Sequence, residues 1–155
     1  MNARERKERI ARFEARCRER GLPMTAQRRV VMEELLASRE HPTAEAIRER
    51  AARRVPGISL TTVYRVLDLL GDLGLARKTS SPGGACRYDP RLDRHHHLVC
   101  MSCDRITDLE DPALNLLPLP KRRRTGYEIV DYTVQFRGTC SRCLSRRPGK
   151  SASKI

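Results

Sequence analysis

The stretch SLTTVYRVLDLLG, residues 59–71, sorts onto two faces of a helix. Ser59 is a good N-cap, because its hydroxyl can accept from an amide of the first turn. Leu60, Val63, Val66, Leu67 and Leu70 recur at three- and four-residue spacing and make an apolar stripe. The other face carries Thr61, Thr62, Tyr64 and Arg65, all near the helix N-terminus, and Gly71 reads as the stop. Side chains of these types, gathered at the start of an apolar helix, are the ones that reach base edges and phosphates when a helix lies in a major groove.

Upstream, three more helices are expected. Residues 4–20 read as a charged amphipathic helix with Ile10, Phe13 and Cys17 on one stripe, stopped by Gly21. A second opens at the cap Thr25 and places Val30, Val31, Glu34 and Leu35 over successive turns. After the break at His41-Pro42, Thr43 caps a third that runs through Ala46, Ile47 and Ala51 to the Pro56-Gly57 break. Downstream, LARKTS and ACRYDP read as two short strands joined through Ser81-Pro82-Gly83-Gly84. Helices followed by a hairpin give residues 1–88 the layout of a winged helix-turn-helix DNA-binding domain. An ordinary helical bundle with a hairpin would leave the Thr/Tyr/Arg face unexplained.

From Asp89 the pattern changes. HHHLVCMSCDRITDL reads as strand, cysteine turn and strand, and Pro112 to about Arg124 as a short helix limited by Pro118 and Pro120. GYEIVDYTVQFRGTC, residues 126–140, alternates Ile129, Asp131, Thr133 and Gln135 against Val130, Tyr132, Val134 and Phe136, a strand period. Residues 89–146 are thus a small mixed α/β domain, the whole chain is of α+β class, and 147–155 form a basic tail expected to be disordered.

The 155 residues allow one domain or two small ones. Aromatic content of 4% with no Trp predicts small aliphatic cores, which need reinforcement by metal, disulfide or dimerisation. A net charge of +13 points to a polyanion, with nucleic acid ahead of an anionic membrane surface. No apolar run approaches the ~20 residues of a membrane span, and the N-terminus lacks a signal-peptide core. The expectation is a cytoplasmic protein with no membrane partner, so its six cysteines read as metal ligands before disulfides.

Cys100-x-x-Cys103 and Cys140-x-x-Cys143 each offer two thiolates to one ion. Four thiolates fill a tetrahedral zinc shell and leave no place for substrate water, so such a site is structural. His95, His96 and His97 directly precede the first pair; on a strand His95 and His97 share a face and His96 takes the other. Asp89 lies upstream of them and Asp108 downstream. Imidazoles with carboxylates suit Fe(II), Mn(II) or Zn(II), the oxygen-rich mix favouring the first two. Cys17 reads as a small core residue and Cys86 as a structural one. There is no HExxH, no phosphate-binding glycine loop and no deaminase His-x-Glu with Pro-Cys-x-x-Cys. The chain is therefore not expected to be an enzyme. The rivals are a zinc enzyme acting on nucleic acid and a metal-storage protein.

GLPMTAQRR, HPTAEAI, ISLTTVYRVLDLLGDLGL, HHHLVCMSC and FRGTCSRC, in that order over residues 10–145, resemble the ferric-uptake-regulator (Fur) superfamily, and within it the peroxide-sensing repressor branch. The resemblance implies a homodimer with an N-terminal winged helix and a C-terminal dimerisation domain, repressing at a pseudo-palindromic operator in double-stranded DNA. It implies one structural Zn(II) per chain on Cys100, Cys103, Cys140 and Cys143. It also implies one regulatory Fe(II) or Mn(II) per chain on His41, Asp89, His95, His97 and Asp108, and base and phosphate contacts from Thr61, Thr62, Tyr64 and Arg65. In that branch, peroxide reacts at the iron and the oxidant attacks a ligand imidazole, here His41 or His95. The alternative is an iron- or manganese-level sensor of the same family; both acids here are Asp, where iron sensors more often carry Glu.

The zinc-sensing branch commonly has Cys at the Asp89 place and an acid near Arg77. A second His/acid site of many iron sensors falls on Arg94, His96, Asn115 and Tyr132, which do not make it. Where the family often has a basic residue reaching the minor groove, this chain has Pro23.

Overall fold

The computed structural model describes residues 2–38, 40–80 and 83–146 and divides into two compact units, the first ending at Asp93 and the second beginning at Arg94. The first unit opens with α1 (Ala3–Glu19), held by a capping box in which Asn2 and Glu5 each bind the other's backbone amide. Then come α2 (Ala26–Ala37), α3 (Ala44–Ala51) and α4 (Leu60–Asp72), capped by Thr25, Thr43 and Ser59. α4 runs past the expected stop. Gly71 is helical, and the chain turns at Gly74, whose φ of +64° is left-handed and suits a residue without Cβ.

The four helices close on one apolar core. Phe13 and Cys17 from α1, Val31, Met32 and Leu35 from α2, Ile47 and Ala51 from α3, and Val63, Leu67 and Leu70 from α4 are all essentially without solvent contact. Glu34, placed on the α2 stripe by periodicity, instead lies at its margin and pairs with Arg50 at 3.3 Å. Leu70→Ala is expected to cost about 2–5 kcal/mol, because a buried leucine loses both its transfer energy and its neighbours' contacts. Urea unfolding measures this, and a cost below about 1 kcal/mol would mean the site collapses freely.

Strands β1 (Arg77–Ser80) and β2 (Cys86–Asp89) form the antiparallel wing, with Arg77 opposite Asp89 and Ser80 opposite Cys86. Ser81 and Pro82 of the expected turn lie outside the described residues, as does the 147–155 tail. β2 is fastened to the loop before α3: the Tyr88 amide donates to the Pro42 carbonyl at 3.0 Å and Arg87 to the His41 carbonyl at 2.8 Å.

In the second unit β3 (His96–Cys100) is central, antiparallel to β4 (Ile106–Leu109) and parallel to β5 (Gln135–Gly138). The long strand expected over 126–140 shrinks to those four residues. The segment before it finds no described strand to pair with, and Tyr127 and Val130 stand 75% and 84% exposed. The expected helix after Pro112 is likewise split into a 3-10 turn at Leu114–Leu116 and a four-residue α5 (Arg122–Thr125), with Pro118 and Pro120 between. A last helix, α6 (Ser141–Ser145), was not foreseen. Among the described residues only Val99, Cys100 and Ile106 make a buried apolar centre here, while Leu98, Leu116, Leu117, Leu119, Phe136 and Leu144 are exposed.

Candidate metal centres and nucleic-acid interface

The parallel register sets the cysteine site. Cys100 ends β3 opposite Gly138 of β5, so the turns that follow both strands leave the sheet side by side. The first turn is closed by the Asp104 amide donating to the Cys100 carbonyl at 2.9 Å, with Asp104 itself left-handed at φ +55°. The second runs into α6, which carries Cys143. The four thiol sulfurs lie within 4.8 Å of one another, and Cys103 Sγ is 3.8 Å from Cys140 Sγ. Four sulfurs each about 2.3 Å from a tetrahedral zinc stand about 3.8 Å apart, so the donor set fits. The Cys140 amide, 3.3 Å from Cys100 Sγ, pulls that thiol down to about 6, whereas hydrogen bonds to Cys103 and Cys140 push Cys143 up to about 12. Thiolate is the form that binds zinc, so the lowered Cys100 thiol gives up its proton to an ion most readily and Cys143 least.

A second kind of centre is built from nitrogen and oxygen. In the second unit His95 and His97 share a face, their Nε2 atoms 3.1 Å apart and their rings edge to face. Asp108 on β4 is the register partner of His97, and its Oδ1 lies 3.7 Å from His95 Nε2. Both imidazoles are at most 8% exposed. Two nitrogens bound at a right angle about 2.1 Å from one ion would be about 3.0 Å apart, which matches the His95–His97 spacing. In the first unit His41 Nε2 lies 3.3 Å from Asp89 Oδ2, both buried. The β2 attachments to His41 and Pro42 bring this pair together, and the Arg91 amide fixes the other Asp89 oxygen at 2.7 Å.

His96 points the other way. Its Nδ1 accepts from the Val134 amide at 3.1 Å, and its ring stacks on Tyr132, over which the Arg94 guanidinium sits at 4.8 Å. Arg94, Tyr132 and His96 thus stack as cation, phenol and imidazole.

On α4, Thr61, Tyr64 and Arg65 are exposed, Tyr64 by 36%. Thr62 is half-buried, and its hydroxyl lies 2.9 Å from the Ser59 cap. Arg65 and Thr62 share an open cleft of about 350 Å³ with Gln27 and Arg28 of α2. Those two were not singled out from sequence, where they are only polar residues after a cap. The Tyr64 hydroxyl donates to Glu45 of α3, a contact that no spacing announces.

A profile of the ferric uptake regulator family matches residues 19–137. The chain belongs to this family. It is a metal-responsive transcriptional regulator, and the family's members are regulators rather than enzymes. The peroxide-responsive repressor PerR of Staphylococcus aureus strain Mu50 is 28% identical over 132 residues, covering 85% of this chain and 89% of that protein. The Helicobacter pylori ferric uptake regulator Fur superposes with a TM-score of 0.74 over 96% of each chain at 20% identity, a likeness of fold. A zinc-bound manganese uptake regulator is 29% identical, with a TM-score of 0.66 over 82% of this chain and 97% of its own. The fold is accordingly a winged-helix DNA-binding domain followed by a dimerisation domain with a cysteine zinc site. No described helix is long and apolar enough to cross a membrane.

Proposed function

We propose that the chain is a peroxide-sensing repressor that binds a pseudo-palindromic operator as a homodimer when its regulatory site holds Fe(II) or Mn(II). The observation that carries this reading is the buried His95–His97 pair with the half-buried Asp108 carboxylate facing it, a nitrogen and oxygen donor set separate from the four thiols. Thiolates hold zinc, and imidazole with carboxylate suits iron and manganese, so two metals can be sorted within one chain. In the proposal His41 and Asp89 complete the regulatory ligand set. An ion with ligands from both units binds only the arrangement in which those ligands meet, and so shifts the population toward it. Fe(II) bound there supplies the one-electron reduction of peroxide. His41 or His95 would be the ring that takes the oxygen, and loss of that ligand would release the arrangement that binds DNA.

In this reading Tyr64 and Arg65 face base edges, with Thr61 and Thr62 near phosphate or thymine methyls. The exposed Leu98, Phe136 and leucines of 116–119 support a second copy as their cover, since a unit with so small a buried centre gains most from association. Arg65→Ala is expected to weaken operator binding by about 1–3 kcal/mol and relax base preference at one position per half-site. Equal weakening on all duplexes would make Arg65 a phosphate contact instead.

The 29% identity to a manganese uptake regulator favours a second reading, a metal-level sensor with the same ligands and no peroxide chemistry. Fluorescence anisotropy on a duplex selected from a random pool tests the shared core of both. Binding should need Mn(II) or Fe(II) beyond the tightly held zinc, and equal binding without either metal sinks the metal-dependent reading.

A further inference from the structure

The Tyr64 hydroxyl lies 2.8 Å from Oε1 of Glu45 and donates to it. The two residues sit on α4 and α3, the paired helices of the helix-turn-helix. Glu45 occupies the first turn of α3, where unpaired amides favour a carboxylate. Its own backbone amide, and then the Tyr64 hydroxyl, hold its carboxyl below the ordinary range. The same hydrogen bond is the main reason the phenol is raised above its usual value. At neutral pH the pair is therefore a carboxylate, which only accepts, and a phenol, which has one proton to give. With that proton committed to Glu45, the tyrosine oxygen offers lone pairs alone to anything that approaches α4.

We infer that Glu45 is a specificity-determining positioning residue that, by holding the Tyr64 proton, turns this tyrosine into an acceptor at the base edges. This rests on reading α4 as the helix that enters the major groove. An acceptor there selects adenine N6 or cytosine N4, which donate, over guanine, whose N7 and O6 both accept. The ring also remains free to pack on a thymine methyl. In free protein the bond is solvent-exposed and weak. Once DNA covers it, lower local dielectric strengthens it, so its effect is concentrated in the bound state. The carboxylate also repels phosphate, which lowers affinity for every sequence alike. Base preference and overall affinity thus report separate consequences of the same residue.

The test uses zinc- and Mn(II)-loaded full-length protein, a duplex selected from a random pool, and that duplex with each base pair changed in turn. Glu45→Ala frees the hydroxyl to donate. It should shift preference at one position per half-site toward guanine or thymine, by about tenfold if a good base contact is re-aimed. Glu45→Gln keeps an acceptor carbonyl and should retain the original preference while binding all duplexes more tightly. Tyr64→Phe should lose the preference, and adding Glu45→Ala to it should change preference no further, since the two act as one unit. If Glu45→Ala scales affinity for all duplexes by one factor and leaves the preference profile unaltered, the inference is overturned while the DNA reading stands. If the unsubstituted protein selects no duplex, the DNA reading falls and takes this inference with it.

Discussion

Cys103→Ser is expected to release the zinc, unfold the second unit and leave the protein monomeric. The size of the effect follows from how little else holds that unit. Among the described residues its buried apolar centre is Val99, Cys100 and Ile106, and Cys100 itself belongs to the cysteine cluster. β5 contributes four exposed residues, and α6 is five residues long. Elements this short do not persist alone. Tying Cys100 and Cys103 to Cys140 and Cys143 joins the ends of two parallel strands across roughly forty residues of chain, where loop closure is costly. Structural zinc binding is folding free energy, so losing one ligand should remove several kcal/mol. Metal content, light scattering and a melting curve give the measurement. A Cys103→Ser protein that stays dimeric with an unchanged melting temperature would show that the thiols are not a structural site. Zinc retention should also weaken on acidification. Cys143, pushed up to about 12, must surrender its proton to the ion, and falling pH favours that proton's return; Cys100, drawn down to about 6, becomes protonated only below that value. Cys86→Ser, outside the cluster, should leave zinc content alone.

The cysteine cluster and the shared face of His95 and His97 could be read from sequence because their signal is local: CxxC pairs and alternating histidines. The first unit was legible for a related reason. Thr25, Thr43 and Ser59 cap helices whose apolar stripes are long enough to declare their period, and all three serve as caps. The stop of α4 was misplaced because Gly71 is tolerated within a helix when the stripe continues to Leu73, which is buried. The strand over 126–140 failed differently. Alternation marks a residue's fitness for a sheet, yet a strand also needs a neighbour, and the five-residue β3 pairs with only the four residues from Gln135. Nor could sequence show that Arg94, Tyr132 and His96 stack, or that Glu45 meets Tyr64, since those contacts join residues far apart in the chain.

Low doses of peroxide should abolish operator binding by the Fe(II)-loaded protein and leave the Mn(II)-loaded protein bound. The ligand types are the same for both ions, so any difference between the two forms isolates redox chemistry from metal occupancy. Oxidation generated at the ion meets the nearest imidazoles before it meets bulk solvent. His95 is at most a few per cent exposed and His41 likewise, so damage should stay local rather than spread over the surface. No reactive thiol is required: Cys17 is fully buried, with its thiol pushed up by that burial. Peptide mass spectrometry should therefore find a gain of one oxygen on a peptide carrying His41 or His95 in the iron form alone. Asp108→Glu should keep metal-dependent DNA binding but blunt the peroxide response. Asp108 approaches His95 from the facing strand at 3.7 Å, and one added methylene changes how the carboxylate reaches an ion held by the two rings. If the iron and manganese forms respond alike and no histidine gains mass, the chain reports metal level, with His41, Asp89, His95, His97 and Asp108 acting as a binding site only.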